Sequence, residues 1–379
     1  MQCYSLVTRL KRDFPNCIIE VIDYTSEKIL SSYEQTYARI KDIKIKESVE
    51  KRKQMFLECQ KTLPLSNAKF ICNDTDEVIK YMNKNYDAVV VGSDAVWNWV
   101  IRGFPNLYFL KDYKGKKFSY AASIHGMNYQ NITENQKDYL RDAFSDFKYI
   151  GVRDITTENM VNYVESTVKP SHNCDPTAFL DLESIPCETE KLIKKLEQRG
   201  LDFSKPLVGI MANDLIGYEI KKKYKNKIQL ISLFEPNKYA DIHLYDLSPF
   251  EWAKVFSFFK VTLTHFFHGT MLSLVNGVPV IPIEFVNEFS SKNKTKIKDV
   301  MERLDLLSWR FEADYRNHSF IQKVLQKSHL KKDSSLWNPV CELIDDFLVS
   351  DYRELIKSRL FEESKSYGNF YDALKSNIK

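Results

Sequence analysis

The sequence feature that most constrains the fold is the segment at residues 261–283, VTLTHFFHGTMLSLVNGVPVIPI. It starts with a short β-branched run, bends at His268-Gly269-Thr270, continues with a helical spacing of apolar residues and ends in a second apolar run. This pattern predicts a buried strand, a helix that closes at Gly277, and a second buried strand. A chain built on this unit is expected to be an α/β protein.

His268 is predicted to lie at the junction between the first strand and the helix. The N-terminus of a helix has unpaired N–H groups and the positive end of the helix dipole, and both favour an anion. Gly269 would let a ligand approach the backbone closely, since glycine has no side chain. His268 is therefore a candidate for a place where a phosphate and a titratable imidazole meet, although a core histidine at a strand end has the same pattern.

Length and composition favour a globular protein with two domains. The chain has 379 residues, and domains usually contain roughly 100–200 residues. The net charge is only +4, and the mixed charges of residues 41–53 are typical of a solvated helix rather than a nucleic-acid arm. The seven cysteines are scattered without a C-x-x-C pair, which favours reduced thiols over disulfides or a zinc site. We expect neither a metal nor a nucleic-acid partner.

The sequence also predicts where the protein resides. No apolar run approaches the roughly 20 residues of a membrane-spanning helix. The first four residues lack the charged start and apolar core of a signal peptide. We expect a cytoplasmic location, with at most peripheral contact at the inner face of the membrane. Residues 291–298, SKNKTKIK, would provide that contact, although a solvated loop has the same composition.

The segment at residues 86–98, YDAVVVGSDAVWN, predicts a central parallel strand followed by a polar turn. Ser93 and Asp94 follow the strand at its carboxyl end, where ligands of open α/β sheets gather. Asp94 could take a proton from a hydroxyl group or hold one in position. It could also cap the next helix.

Two further predicted strands end in residues with ionisable side chains. Residues 149–154, YIGVRD, place Arg153 where a guanidinium would clamp a carboxylate or phosphate, or form a surface pair with the next aspartate. We expect the following helix to begin at about Thr156. Residues 117–124 predict a strand that is followed by His125, which we interpret as a loop histidine.

Together these segments resemble the polysaccharide pyruvyl transferase family. The resemblance rests on four signatures in a fixed order, YDAVVVGSDAVWN, KFSYAASI, GVRD and FHGTMLSLVNGVPVI, and it covers residues 2–283. It implies two Rossmann-like domains that face each other across a cleft, as in GT-B glycosyltransferases. It also implies transfer of the pyruvyl group of phosphoenolpyruvate to a sugar, most often as a ketal across two hydroxyls, with release of phosphate.

The resemblance matches the functional positions of the family to Asp94, Arg153 and His268. The residue types suit the chemistry, because the donor phosphate needs oriented N–H groups and the donor carboxylate needs a cation. A general acid and a general base would divide the proton transfers. The predicted site consists of the catalytic residues His268 and Asp94 and the substrate-binding residues Arg153, Ser93, Gly269 and Thr270. Phosphoenolpyruvate is expected as the donor substrate, with no further cofactor.

The beginning of the chain departs from the family pattern. Family members open with a strand and a glycine-containing N-Y-G-like loop, whereas here the apolar spacing predicts a helix from the first residues and a strand only at residues 18–22. We expect the absent strand to interrupt the centre of the first sheet and to leave an unpaired strand edge. Residues 123–126, SIHG, also stand where the family has a shorter S-F-G turn.

We predict an N-terminal Rossmann-like domain at residues 1–180 and a C-terminal one at residues 181–335. Helices at residues 336–379 are expected to pack back on the first domain. The acceptor would be a sugar of a bacterial surface polysaccharide or of its lipid-linked precursor. One alternative is a GT-B glycosyltransferase that uses a nucleotide sugar and holds its diphosphate at the same helix. The other is a catalytically inactive binding protein that lacks the opening loop.

Overall fold

Parallel strands connected by helices form the framework of the protein. The structure is a computed structural model that describes residues 1–38, 42–234, 236–286, 294–313 and 337–378. The strands are β1 (Val21–Thr25), β2 (Leu65–Ile71), β3 (Ala88–Val91), β4 (Lys116–Ala122), β5 (Phe147–Val152), β6 (Pro170–His172), β7 (Leu207–Met211), β8 (Gln229–Leu233), β9 (Ile242–Leu244), β10 (Val261–Thr264), β11 (Val280–Phe285) and β12 (Phe311–Ala313).

Helices connect and cover these strands. They are α1 (Gln2–Asp13), α2 (Glu27–Ala38), α3 (Ile43–Gln60), α4 (Asp76–Asn85), α5 (Trp99–Arg102), α6 (Glu134–Ser145), α7 (Ile155–Tyr163), α8 (Thr189–Gln198), α9 (Asp214–Tyr224), α10 (Pro249–Val255), α11 (Phe267–Val275), α12 (Lys296–Arg303), α13 (Asn338–Val349), α14 (Arg353–Ser364) and α15 (Tyr367–Asn377). Short 3₁₀ turns occupy Leu107–Phe109, Pro176–Phe179, Phe256–Phe258 and Leu307–Trp309. Within the described ranges, no helix has the length and apolarity that crossing a membrane requires.

The strands of the second half form one continuous parallel sheet in the order β12-β11-β10-β7-β8-β9. The order reverses between β7 and β10, so the loops after these two strands diverge and leave a crevice at their carboxyl ends. Residues 261–283 form β10, α11 and most of β11, as the sequence predicts. Both strands pair in register, with Leu263 opposite Ile281, and their apolar side chains are buried in the core of this half.

The strands of the first half form two sheets rather than one. The strands β1 and β2 pair with each other, and β3, β4, β5 and β6 pair in that order. In the described part of the chain, no ladder joins β1 to β3. The first half is therefore divided into two sheets between β1 and β3.

The C-terminal helices pack back on the first half. The residues Tyr367, Phe370 and Leu374 of α15 are buried in one apolar cluster with Tyr120 of β4 and Leu10 of α1. The helix α14 is tied to the end of β6 by an ion pair between Glu363 and His172, with 2.6 Å between Oε1 and Nε2. The last helices thus bridge both halves, since α14 also contacts α11.

Local sequence signals place two helix starts correctly and one strand incorrectly. The spacing of Thr133 to Gln136 and of Ser248 to Glu251 predicts capping boxes, and these capping boxes start α6 and α10. The strand predicted at residues 18–22 instead covers Val21–Thr25. Ile18 is 92% exposed, so the apolar run at residues 18–22 is not buried along its whole length. The helix after Arg153 is capped by Asp154 rather than by Thr156. A helix predicted at residues 320–328 lies outside the described residues.

Candidate active site

Asp94 is held in a fixed orientation by the turn that follows β3. Gly92 has a φ of +129°, and a Cβ there would collide with the carbonyl oxygen of Tyr120, so only glycine fits. Asp94 itself adopts a φ of +73°, and its carbonyl oxygen accepts hydrogen bonds from the backbone N–H groups of Val96 at 2.7 Å and Ser123 at 2.9 Å. These constraints fix the carboxylate at the carboxyl edge of the four-stranded sheet.

Arg153 follows β5 at the same edge and joins two carboxylates. Its Nη2 donates to Oδ1 of Asp94 at 3.0 Å, and its Nη1 donates to Oδ2 of Asp175 at 2.9 Å. The guanidinium carbon lies 4.5 Å from the centroid of the Phe267 ring, and Arg153 is only 4% exposed. Asp175 lies just after β6 and also accepts a hydrogen bond from the side-chain amide of Gln2. Arg153 is therefore a buried link between charges rather than the surface-pair residue considered from sequence.

His268 reaches this network from the second half of the chain. It is the second residue of α11, and its Nε2 lies 3.6 Å from Oδ2 of Asp94, an ion-pair distance when the imidazole is protonated. The His268 side chain is 37% exposed. The N-cap residue of α11, Phe266, makes no side-chain capping hydrogen bond, so N–H groups of the first turn can face an anion.

Lys296, the first residue of α12, brings a further cation to the cluster. Its Nζ lies 2.7 Å from Nδ1 of His125 and 5.3 Å from the centroid of the Phe267 ring. Burial and the positive charge of Arg153 lower the pKa of Lys296 to about 8. Burial and the nearby Lys296 lower the pKa of His125 to about 4, so its neutral imidazole accepts a hydrogen bond from the lysine. The loop histidine of the sequence analysis is therefore a contact of this cluster.

The charges around Asp94 determine its protonation state. Burial by itself would raise the pKa of Asp94, but the polar contact with His268 and the charge of Arg153 outweigh it and hold this pKa far below its ordinary value. Burial also opposes ionisation of Asp175, whose pKa is nevertheless lowered by Arg153 and His268. Both carboxylates are therefore anions at neutral pH.

The structure brings together three predicted residues, Asp94, Arg153 and His268, and it explains two others differently. Thr270 is fully buried, and its Oγ1 donates to the carbonyl oxygen of Phe266 at 3.1 Å, so this hydroxyl serves the helix. A Cβ at Gly269 would lie 2.5 Å from Oγ1 of the β10 residue Thr264. Glycine at 269 is thus explained by close packing of α11 on β10, not by the approach of a ligand. Ser93 is half-buried beside Asp94.

Sequence reasoning missed two residues of the cluster, Asp175 and Lys296. Asp175 had a usable signal, because it follows a strand as Asp94 and Arg153 do, but β6 is only three residues long and Asp175 lies near the predicted end of the first domain at residue 180. Lys296 belongs to the basic stretch at residues 291–298, of which residues 291–293 lie outside the described residues. Its neighbour Lys294 pairs with Glu302 at 2.7 Å and Asp299 at 3.3 Å. These two lysines make intramolecular contacts rather than forming a free basic surface.

This arrangement is suited to anionic ligands with ionisable or polar leaving groups. Arg153, His268 and Lys296 approach one place from both halves of the chain, at the carboxyl ends of parallel strands. Within the described ranges, no three His, Cys, Asp or Glu side chains are grouped as ligands of a metal ion would be.

The fold and the site define a GT-B-like α/β protein, with two Rossmann-like domains that face each other across a cleft. UDP-GlcNAc 2-epimerase from Neisseria meningitidis, solved with UDP-GlcNAc bound, is similar with a TM-score of 0.52 and 11% identity, over 86% of this chain and 89% of that one. UDP-GlcNAc 2-epimerase from Methanocaldococcus jannaschii gives a TM-score of 0.45 and 13% identity, over 77% of this chain and 90% of that one. At such identities the likeness concerns the fold alone.

The sequence itself identifies the family. The family model of polysaccharide pyruvyl transferases matches residues 1–285, and the chain belongs to this family. The comparison with curated protein sequences gives no match.

Proposed function

We propose that the protein transfers the pyruvyl group of phosphoenolpyruvate to two hydroxyls of a saccharide, which forms a ketal and releases phosphate. The observation that carries this proposal is the convergence of Arg153, His268 and Lys296 on one place in the cleft. Phosphoenolpyruvate has a phosphate and a carboxylate, so it needs several cationic or N–H donors within a few ångströms. The membership of the family supports the same reaction class.

In this proposal the donor phosphate binds at the start of α11. The uncapped N–H groups of the first turn and the ammonium group of Lys296 would share its negative charge. The carboxylate of the donor would lie toward the guanidinium of Arg153. Because both terminal nitrogens of Arg153 already bind carboxylates, Arg153 would act chiefly through its charge and its remaining N–H groups.

The proposed reaction forms two C–O bonds and one C–H bond, and it breaks the bond between C2 and the phosphate oxygen. Protonated His268 would give its proton to the methylene carbon while the first acceptor hydroxyl attacks C2. The neutral imidazole would then take the proton of that hydroxyl, which restores the starting state. The departing phosphate would carry away the proton of the second hydroxyl. A general acid and base of this kind contributes roughly 10²–10⁴-fold to the rate.

Asp94 has a different role in this proposal from the general base expected from sequence. A carboxylate whose pKa is far below neutral pH is a weak base, since efficient proton acceptors titrate near the working pH. Its Oδ2 lies 3.6 Å from Nε2 of His268, where a negative charge would orient the ring. Asp94 would therefore prepare His268 for proton transfer.

The acceptor in this proposal is a sugar of a bacterial surface polysaccharide or of its lipid-linked precursor. The family membership and the GT-B-like fold both favour a saccharide acceptor. No cofactor beyond the donor substrate is required by the chemistry, because the bond changes involve only proton and group transfer.

Calorimetric titration of phosphoenolpyruvate into the full chain tests the proposal. We expect saturable binding that weakens in His268→Asn and in Lys296→Gln, because both substitutions remove donors from the proposed phosphate site. The matched control is Lys298→Gln, which removes a lysine from the same helix outside the cluster and should leave binding unchanged.

A parallel titration with UDP and UDP-GlcNAc separates the proposal from the glycosyltransferase alternative. Binding of either nucleotide ligand at the His268-dependent site, without binding of phosphoenolpyruvate, would replace the pyruvyl transfer proposal. Phosphate release from phosphoenolpyruvate in the presence of a saccharide acceptor would exclude the inactive binding protein.

A further inference from the structure

A pocket lies at the carboxyl edge of the six-stranded sheet, away from the ion cluster. The helix α3 belongs to the first half of the chain but contacts α10 of the second half. Between them lies a pocket lined by Arg52 and Phe56 of α3 and by Phe234, Tyr245 and Trp252. Phe234 and Tyr245 directly follow β8 and β9, so the pocket occupies the edge at which ligands of such sheets bind.

Aromatic rings connect this pocket to the start of α11. The Phe234 ring lies 5.9 Å from Trp252 and 5.6 Å from Phe266, measured between ring centroids. Phe266 is the N-cap residue of α11 and precedes His268 by two positions. A ligand that extends from the pocket along these rings would therefore run toward the candidate active site.

Arg52 differs from its two basic neighbours on α3. Lys51 pairs with Asp246 at 3.2 Å, and Lys53 lies 4.0 Å from Glu50. Arg52 forms no ion pair with any carboxylate in the part of the chain that the structure describes. Its Nη1 donates to the carbonyl oxygen of Phe234 at 3.3 Å, and its guanidinium carbon lies 4.6 Å from the centroid of the Phe234 ring.

This geometry leaves Arg52 with charge and hydrogen-bond donors to offer a ligand. A guanidinium has five N–H donors, and its planar fork matches the oxygens of a carboxylate or phosphate. The cation is half-buried among aromatic rings, where charged contacts are stronger than in open solvent. The partners of Arg52 within the described ranges, Tyr37 and Phe234, are uncharged, so an anionic ligand would add a charged contact.

We propose that this pocket, defined by Arg52, Phe56, Phe234, Tyr245 and Trp252, binds an anionic sugar unit of the acceptor saccharide. The apolar face of the sugar ring packs against the aromatic rings, and its carboxylate or phosphate binds Arg52. This inference rests on the proposed function and specifies its acceptor as a negatively charged saccharide.

The pocket lies at the edge of the six-stranded sheet rather than at His268, so a sugar bound there would be one unit of an extended acceptor. The unit that receives the pyruvyl group would lie nearer His268.

Ligand-observed saturation-transfer NMR with three probes tests this inference on the full chain. The probes are methyl glucuronoside with a carboxylate, glucose 1-phosphate with a phosphate, and neutral methyl glucoside. We expect at least one anionic sugar to bind more tightly than the neutral one, and the stronger of the two identifies the anionic group. Arg52→Ala should weaken that binding roughly tenfold, because it removes a charged hydrogen bond.

Two further variants complete the design. Phe234→Leu should also weaken binding, since it removes the ring against which the sugar packs while retaining an apolar side chain. Lys53→Ala removes the same charge from the neighbouring position and should leave binding unchanged. Thermal unfolding of each variant checks that it is folded.

The outcomes separate this inference from the proposed function. Equal binding of the three sugars, no binding of any, or an Arg52→Ala variant that binds as the unsubstituted chain does would overturn the inference. Phosphoenolpyruvate is titrated into the unsubstituted chain in parallel. Failure of that titration would contradict the proposed function, whereas failure of the sugar series alone would contradict only the acceptor pocket.

Discussion

The two sides of the candidate active site differ in how their charges are balanced. The first half supplies Asp94, Arg153 and Asp175, which form a closed ionic network around a guanidinium that is 4% exposed. The second half supplies His268 and Lys296, which are less buried and contact Asp94 and His125 of the first half. One side is a rigid scaffold, and the other side offers positive charge to a ligand.

This difference predicts which substitutions should change stability and which should change activity. Removing one partner of a buried ion network leaves the other charges buried and unpaired, which destabilises the fold. Removing a half-exposed cation leaves no such charge behind, so the loss should appear in ligand binding and turnover. The comparison therefore predicts opposite behaviour for Arg153 and His268.

The largest effect is expected for Arg153→Gln. It would leave Asp94 and Asp175 without their shared cation, and breaking such a buried pair costs about 3–5 kcal/mol of unfolding free energy. Chemical denaturation measures the change. Arg141→Gln is the control, since Arg141 forms exposed pairs that are worth less than about 1 kcal/mol. Equal losses in both variants would contradict the closed-network description.

His268→Asn should affect turnover much more than stability. If His268 transfers the proton, turnover falls about 10²–10⁴-fold. The unfolding free energy should change by less than about 1 kcal/mol, because the side chain is 37% exposed and leaves no buried charge unpaired. Phosphate release and denaturation on the same preparation compare the two effects. A variant that loses stability but keeps turnover would reverse the roles of the two sides.

The binding of phosphoenolpyruvate should depend on pH through Lys296. Because the pKa of Lys296 is lowered to about 8, its ammonium group loses a proton as the pH rises through this value, and affinity should fall roughly tenfold. Lys296→Arg keeps a positive charge at these pH values and should remove the decline. Calorimetric titrations at several pH values from about 7 to about 9 measure the pH dependence of binding for both proteins. An unchanged decline in the arginine variant would assign it to another group.

The smallest effect is expected for His125→Gln. The pKa of His125 is lowered to about 4 in the folded chain, whereas an unfolded histidine titrates near about 6.5. Between these two pKa values the unfolded chain binds a proton that the folded chain does not. The free energy of unfolding therefore falls as the pH falls from about 6.5 to about 4. Although neighbouring groups surround the imidazole, part of the His125 surface is open to solvent, which screens its charge, so we expect a change of at most about 1 kcal/mol. Denaturation at several acidic pH values should show a flatter profile for the variant.

The sequence determined the local units of this protein. The strand–helix–strand unit at residues 261–283 and the capping boxes at Thr133 and Ser248 were correctly predicted, because each depends on residues a few positions apart. The polar residues at the ends of β3 and β5 were found for the same reason. The strand at residues 18–22 was misplaced, since an apolar run does not show which of its residues will be buried.

Only the tertiary structure decided which of these residues meet and what they do. Asp94 and Arg153 are 59 positions apart, and His125 and Lys296 are 171 positions apart, so no local pattern relates them. The residue predicted to clamp a ligand, Arg153, is buried between two carboxylates of the chain itself, which no local pattern indicates. The contact with His268 and the charge of Arg153 hold the pKa of Asp94 below the range useful for a base. Charge balance depends on contacts through space, and these exist only after the two halves of the chain have packed together.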